Sequence, residues 1–203
     1  MGAVVALDGL LDARRVWRGS TTSAPQIAAQ PTGQAGLDAQ LPFGGWPAHA
    51  LSEILLPADG VGELSLVFPA LARLTHAGGR VILIAPPYVP HAPAWARAGI
   101  DLKQLQVVHA QPRDALWATE QCLRSAACAA VLCWPNKADD RALRRLQVAA
   151  ETGQCLGFAF RDVKHARNPS PAALRLAIEA RDQIRVLKCR GGLAPPHPIR
   201  LAS

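Results

Sequence analysis

The segment from Pro57 to Ser65, which reads PADGVGELS, has the small residues and the spacing of a loop that could hold a nucleotide phosphate. A working loop of this kind follows the pattern G-x-x-x-x-G-K-[ST]. Its backbone N–H groups surround the phosphates, the lysine neutralises their charge and the hydroxyl holds magnesium. Gly62 can stand for the second glycine of the pattern, and Gly60 lies shortly before it. The chemistry that this segment could support is therefore nucleotide binding.

The residues that follow Gly62 lack that chemistry. Glu63 occupies the position of the lysine, Leu64 occupies that of the hydroxyl residue, and Ser65 comes one residue too late. A carboxylate repels a triphosphate, and no lysine occurs in residues 1–97 to replace the missing cation. We predict a degenerate phosphate-binding loop, formed by Gly60, Gly62, Glu63, Leu64 and Ser65.

Catalytic groups are also missing from the rest of the sequence. The apolar run Val131-Leu132-Cys133-Trp134 lacks the terminal aspartate that would hold magnesium in a nucleotide hydrolase. The six histidines form no H-x-x-x-H pair, the five cysteines form no C-x-x-C pair, and no G-x-S-x-G motif occurs. The sequence therefore predicts a protein that is not an enzyme and that uses no metal ion or cofactor.

Short apolar runs alternate with helical patterns after residue 50, and these elements must position the loop. Strands are predicted at Leu51–Leu56, Val81–Ala85, Gln106–His109, Ala129–Trp134 and Cys155–Phe160. Helices are predicted at Leu64–His76, Arg113–Ala127 and Asp139–Thr152. Uninterrupted apolar strands separated by helices are typical of a parallel sheet covered on both faces. We predict an α/β fold with a central, mostly parallel sheet, and a rigid Pro-rich loop at 86–93 over its carboxyl edge.

The C-terminal part of the chain follows a different pattern. Apolar residues alternate there with Arg175, Ala177 and Glu179, and a second run from Ile184 to Cys189 follows a polar turn. This alternation predicts an antiparallel hairpin with one solvent-exposed face.

Composition shifts divide the chain into four parts. Residues 1–18 read as a helical appendage, with a helix from about Val4 to Arg15, and residues 19–35 have the Ser/Thr/Pro/Gly/Gln content of a linker. Residues 36–190 form the predicted core. Residues 191–203 contain three prolines and two glycines, and we predict a flexible basic tail that cannot extend a sheet.

The net charge of +7 is concentrated near the C-terminus. Residues 141–203 contain 12 basic and 4 acidic residues, whereas residues 1–140 contain 10 and 11. Such a region can attract a phosphate backbone or an acidic protein surface. No apolar run reaches the length of a membrane span and no signal-peptide pattern begins the chain, so a cytoplasmic protein is expected.

Several segments resemble the ATPase core of RecA. Residues 32–41 (TGQAGLDAQL), 44–48 (GGWPA) and 51–55 (LSEIL) match in order and spacing the run that precedes the phosphate-binding loop of RecA. Residues 95–101 (WARAGID) resemble the segment after its second core strand. RecA carries a catalytic acidic residue after that strand, where this chain has Ala85-Pro86-Pro87-Tyr88. The resemblance implies a RecA-like core without ATPase chemistry, as in the SulA and ImuA branch of that superfamily.

Both ends of the chain are similar to the ImuA family. The similar segments are residues 16–19 (VWRG), 170–176 (SPAALRL) and 186–192 (VLKCRGG). This resemblance implies a non-catalytic adaptor in SOS-induced translesion DNA synthesis and mutagenesis. Its partners would be ImuB and an error-prone replicative-type DNA polymerase, with RecA and single-stranded DNA as further candidates. SulA-like inhibition of cell division through FtsZ and direct binding of single-stranded DNA remain alternative functions.

Tryptophans and basic residues supply the candidate partner contacts. Trp17 stands among arginines on the appended helix, and aromatic anchors flanked by arginine are typical of interface hot spots. Trp117 and Trp134 lie on predicted buried elements and are assigned to the core, while Trp46 and Trp95 are left open between packing and contact. The candidate partner-binding residues are Trp17, Arg18, Arg141, Arg144, Arg145, Lys188, Arg190, Arg200 and Leu201.

Overall fold

The computed structural model describes residues 29–135, 137–180 and 182–201. The predicted N-terminal helix, together with Trp17 and Arg18, lies outside the described residues. None of the helices in the described ranges is long and apolar enough to cross a membrane.

One eight-stranded sheet organises the described residues, in the spatial order β3-β2-β4-β5-β1-β6-β7-β8. The strands are β1 (Leu51–Leu56), β2 (Val81–Ile84), β3 (Leu105–Val108), β4 (Ala130–Cys133), β5 (Leu156–Asp162), β6 (Leu174–Ala180), β7 (Gln183–Cys189) and β8 (Ile199–Arg200). Strands β1 to β6 pair in parallel, whereas β7 and β8 are added antiparallel. The predicted α/β class, the mostly parallel sheet and the C-terminal hairpin are confirmed.

Helices cover both faces of this sheet. They are α1 (Ala35–Asp38), α2 (Leu64–His76), α3 (Ala92–Arg97), α4 (Ala115–Arg124) and α5 (Asp140–Thr152), with 3₁₀ helices at Leu102–Gln104 and Val163–Arg167. Helix α2 matches the predicted range although Pro69 lies inside it. Asp139 caps α5 by accepting a hydrogen bond from the Ala142 N–H, which is why the helix begins where the sequence places it.

The core has two layers because successive strand residues point to opposite faces of the sheet. Ile54 and Leu132 belong to one layer, which includes the edge-to-face rings of Trp46 and Phe158. Leu51 belongs to the other layer, which packs under α4 and α5. Burial on both faces explains why the parallel strands read as continuous apolar runs.

The linker predicted at 19–35 does not extend to residue 35. Gln30 and Trp46 form a two-way backbone bridge, with N···O distances of 3.0 and 2.7 Å, and Thr32 is fully buried. The Thr32 N–H also donates to Asp38 Oδ1 at 2.8 Å. Residues 30–35 therefore belong to the fold, because backbone pairing to a distant segment outweighs a linker-like composition.

The C-terminal segment corrects the prediction of a tail that cannot extend the sheet. Ile199–Arg200 forms β8 against β7, and the Leu201 N–H donates to the Asp182 carbonyl at 2.8 Å. The side chains of Ile199 and Leu201 pack on the core. The prolines precede the strand and therefore remove no ladder hydrogen bond from it.

The exposed face predicted for the hairpin is present on β7 and absent from the first half of β6. Arg175 and Ala177 of β6 are buried, whereas Glu179 is exposed. The 3₁₀ helix Val163–Arg167 covers this part of the strand, since Arg175 donates to the carbonyl oxygens of His165, Ala166 and Asn168. The alternation of apolar and polar residues within a strand does not show whether another segment of the chain covers its polar face.

The five cysteines are free thiols, and all except Cys122 are buried. Burial raises the pKa of Cys133 to about 12, and burial followed by the nearby Cys128 raises the pKa of Cys122. A raised pKa keeps a thiol protonated and unreactive. Cys122 is partly exposed, so we expect a disulfide reagent at pH 8 to label it before the four buried thiols, which should react only on unfolding, as counted by mass spectrometry. Rapid labelling of a second cysteine in the native protein would contradict this burial pattern.

Candidate functional site

The loop that joins β1 to α2, residues 57–63, lies at the carboxyl edge of the parallel strands. Gly60 and Gly62 take φ angles of +80° and +96°. A side chain at either position would meet no atom within 4 Å, so glycine is required there by the backbone conformation alone. Ligands of open α/β sheets bind at this edge, which makes the loop the first candidate site.

Glu63 turns back into this loop. Its side chain is only 5% exposed, and Oε1 accepts from the Gly60 N–H at 3.4 Å. The carboxylate therefore stands at the N-terminus of α2, where a helix otherwise attracts an external anion. Its Oε2 is buried and makes no hydrogen bond with any residue that the structure describes.

The neighbours of Glu63 are also engaged within the protein. Ser65 Oγ donates to the Gly62 carbonyl at 2.6 Å, and Leu64 packs against the core. The structure thus brings together the five loop residues that the sequence singled out. Within residues 57–65, all of which the structure describes, there is no lysine, and the Ser65 hydroxyl is already engaged.

We expect Mg-ATP to bind neither tightly nor productively, because the Glu63 carboxylate occupies the helix N-terminus that would receive a phosphate. Isothermal titration calorimetry with Mg-ATP should give no low-micromolar Kd, and an ATPase assay should give no turnover. A low-micromolar Kd, or turnover that disappears on the substitution Gly62→Val, would contradict this expectation.

A cavity of about 350 Å³ lies beside the loop, and we call it the loop cavity. Glu63 lines it together with the rings of Phe68, Tyr88, Trp95 and Trp134. The Pro-rich stretch forms its other wall, as expected for a loop that follows the carboxyl end of β2. The walls of the loop cavity are therefore mainly apolar, and Glu63, Ser65, Tyr88 and His91 supply its polar side chains.

A buried ion-pair triad connects three neighbouring strands. Arg161 of β5 donates from Nη1 to Glu53 Oε1 at 2.5 Å, and Arg175 of β6 donates from Nε to Glu53 Oε2 at 2.5 Å. Glu53 of β1 lies between them and is fully buried. Other nitrogens of the two guanidinium groups donate to backbone carbonyls, among them Arg161 Nη2 to Ala138 O at 2.6 Å, whereas Arg161 Nε has no acceptor among the described residues. The triad thereby fixes the segment that follows β4, through Ala138, and the 3₁₀ helix that follows β5.

The sequence analysis missed this triad, although a signal was present. Glu53, Arg161 and Arg175 are charged residues inside otherwise apolar strands. A charge in a buried strand requires a partner of opposite sign. One acidic and two basic residues of this kind were available to pair.

The basic partner candidates do not form one patch. Arg144, Lys188 and Arg190 border a groove between α5 and β7, where Arg190 Nη1 donates to Glu151 Oε1 at 2.9 Å. Burial, followed by the nearby Arg190 and Arg175, lowers the pKa of Lys188.

The other basic or apolar residues predicted to contact a partner lie outside this groove. Arg141 and Arg145 are exposed on α5, and Arg145 faces Glu120 of α4 at 3.5 Å. Arg200 pairs with Asp182 at 3.5 Å, away from α5, and Leu201 packs on the core.

The tryptophans also separate into two kinds. Trp46 and Trp95 are buried, so packing accounts for both, and the partly buried Trp134 stacks on Phe160. The prediction that Trp117 is a core residue is wrong, since it is 64% exposed. Helix α4 buries Thr119 and Leu123 and leaves Trp117 facing solvent.

No family model matches this chain. It is 29% identical over 144 residues to the cell division inhibitor SulA of Pectobacterium atrosepticum, covering 70% of this chain and 79% of that protein. It is 33% identical over 111 residues to the mitochondrial DNA repair protein recA homolog of Dictyostelium discoideum, covering 53% of this chain and 24% of that protein. The crystal structure of SulA from Pseudomonas aeruginosa aligns with a TM-score of 0.46 and 24% identity, covering 54% of this chain and 96% of that one. The sequence matches support a distant relationship to SulA and RecA proteins.

Proposed function

We propose that this chain is a non-catalytic accessory protein of the SOS DNA-damage response, and that it acts by binding other proteins. The observation that carries the proposal is the placement of Glu63, whose buried carboxylate occupies the helix N-terminus that a nucleotide phosphate would need. The sequence similarity to SulA and to a RecA homolog supports the connection with DNA damage.

Within that role, the first candidate is an adaptor in translesion synthesis, working with ImuB and an error-prone replicative-type polymerase. The ImuA-like segments at both ends of the chain support this assignment. RecA and single-stranded DNA are further candidate partners.

The outer face of α4 and α5 is the surface that best fits such a partner. Trp117 lies there one turn before Glu120, which pairs with Arg124 at 2.8 Å and faces Arg145 of α5. Arg113, in the turn that precedes α4, is also exposed. An exposed indole one turn from a cluster of ion-paired arginines has the composition of an interface hot spot.

We expect Trp117→Ala to weaken capture of the partner by about tenfold or more. The same change should alter the free energy of unfolding by no more than about 0.5 kcal/mol, because the side chain packs little core. Co-purification with ImuB, RecA and the error-prone polymerase, with and without single-stranded DNA, measures capture, and urea denaturation measures stability. Leu193→Ala is the matched control, since Leu193 is 94% exposed on another surface. Equal capture by the wild type and Trp117→Ala would remove this face from the proposal.

The second candidate is inhibition of cell division through FtsZ, which the similarity to SulA supports at least as well. Two readouts separate the candidates in a strain carrying this protein. An adaptor predicts that deletion lowers damage-induced mutation frequency, with no filamentation on overexpression. A division inhibitor predicts filamentation on overexpression and an unchanged mutation frequency on deletion. Failure of both readouts would contradict both candidates.

A further inference from the structure

The loop cavity combines a carboxylate with aromatic walls, and nothing in the proposed function so far uses it. Glu63 is 95% buried, and its Oε2 makes no hydrogen bond with a described residue. Trp134 Nε1 is likewise buried without an acceptor among the described residues. Both residues line the loop cavity, so an unpartnered carboxylate oxygen and an unpartnered indole N–H lie buried in its walls.

The charge of Glu63 decides which ligand chemistry fits. An anion would be repelled by the carboxylate, and an uncharged apolar group would leave Oε2 without a partner. A cation with an apolar stem satisfies both parts of the cavity, because a positive charge is also attracted to the faces of tryptophan, tyrosine and phenylalanine.

We propose that the loop cavity binds a basic side chain, arginine in preference to lysine, presented by a protein partner. This inference rests on the proposed function only for the source of the side chain. A guanidinium is planar, pairs with carboxylates through parallel hydrogen bonds, stacks on aromatic rings and is more weakly hydrated than an ammonium group.

The size and the rim of the cavity agree with this occupant. Its volume of about 350 Å³ is near the lower limit for ligand sites, which span about 300–1,000 Å³. Such a volume suits one long side chain. Tyr88 and Val89 are 67% and 89% exposed at the rim, where they can contact the backbone that flanks it.

The test uses the full chain and the indole N–H signals of its five tryptophans in a ¹H–¹⁵N spectrum. The probe is acetyl-Gly-Arg-Gly-amide, and the comparison probe contains citrulline, which has the shape of arginine without its charge. We expect the arginine peptide to shift the Trp134 signal, while the signal of Trp117, which lies outside the loop cavity, stays in place. The citrulline peptide should bind about tenfold or more weakly.

Substitutions on the same loop provide the second measurement. Glu63→Gln should reduce the affinity for the arginine peptide to that for the citrulline peptide. Asp59→Asn, which removes an exposed carboxylate of the same loop outside the cavity lining, should leave the affinity unchanged. If Glu63→Gln does not fold, the two peptides on the wild-type protein still decide the question.

Three results would overturn the inference: no shift of Trp134 at the solubility limit of the arginine peptide, equal binding of both peptides, or an equal loss of affinity in Asp59→Asn. Partner capture through Trp117 is measured separately. A failed peptide test with intact capture removes only the loop-cavity inference, whereas a positive peptide test without capture of any partner by the wild type contradicts only the proposed adaptor function.

Discussion

Replacing Glu53 by glutamine is expected to destabilise the fold by about 3–5 kcal/mol, which corresponds to a fall in Tm of about 10 °C or more. The substitution keeps the shape of the side chain and removes its charge. Arg161 and Arg175 are almost fully buried, and Glu53 is the acidic group that both contact within the described residues. Two buried cations without a counter-charge are far less favourable than the intact triad. Urea denaturation monitored by circular dichroism measures the change.

The matched control is Glu179→Gln. Glu179 lies on β6, as Arg175 does, and it pairs with Arg185, but both partners are partly exposed. A surface ion pair contributes about 0.2–1 kcal/mol, so the control should change stability little. The triple substitution Glu53→Leu, Arg161→Met and Arg175→Met should recover much of the lost stability, because it removes all three buried charges together. An effect of Glu53→Gln no larger than that of the control would show that the triad contributes little.

The second large effect is expected from truncating the chain after Arg190, which should lower the free energy of unfolding by about 2–3 kcal/mol. The truncation removes β8 and exposes the core surface that Ile199 and Leu201 cover. Complete burial of a large aliphatic side chain contributes about 1.5–3 kcal/mol, and these two are partly buried. Thermal denaturation of the truncated and full-length chains measures the change.

A smaller substitution separates this loss from an effect of chain length. Ile199→Ser should reproduce part of the destabilisation, because it removes one of the two apolar contacts. Leu193→Ala, in the same C-terminal segment but exposed, should not. An unchanged Tm after truncation would mean that β8 adds no stability and that the segment acts as the predicted tail.

Hydrophobic periodicity was sufficient to predict the order and type of the main elements. Leu51–Leu56 and Leu64–His76 were predicted with the bounds that the structure has. Both signals are local, since each depends on residues within one strand or one helix. The loss of the lysine and of the hydroxyl residue, at Glu63 and Leu64, could also be recognised from local sequence, because the chemistry of a phosphate-binding loop depends on residue types at fixed spacing.

Pairing between distant segments could not be predicted from such local signals. Arg161 meets Glu53 across 108 positions of sequence, and Ile199 joins β7 although prolines precede it. Amino-acid composition alone predicted a linker that includes residues 30–35 and a tail that includes residues 191–201. Their backbone hydrogen bonds depend instead on segments that only the folded chain brings near.

The sequence by itself determined the α/β class and the absence of a phosphate-binding lysine, because both are set by residue types at short spacing. Only the tertiary structure decided that Trp117 faces solvent and that Trp46 and Trp95 do not. It also decided that the Glu63 carboxylate borders an aromatic cavity. The physical reason is that exposure and charge pairing depend on which elements pack over a residue, and that packing is fixed by contacts between segments far apart in the chain.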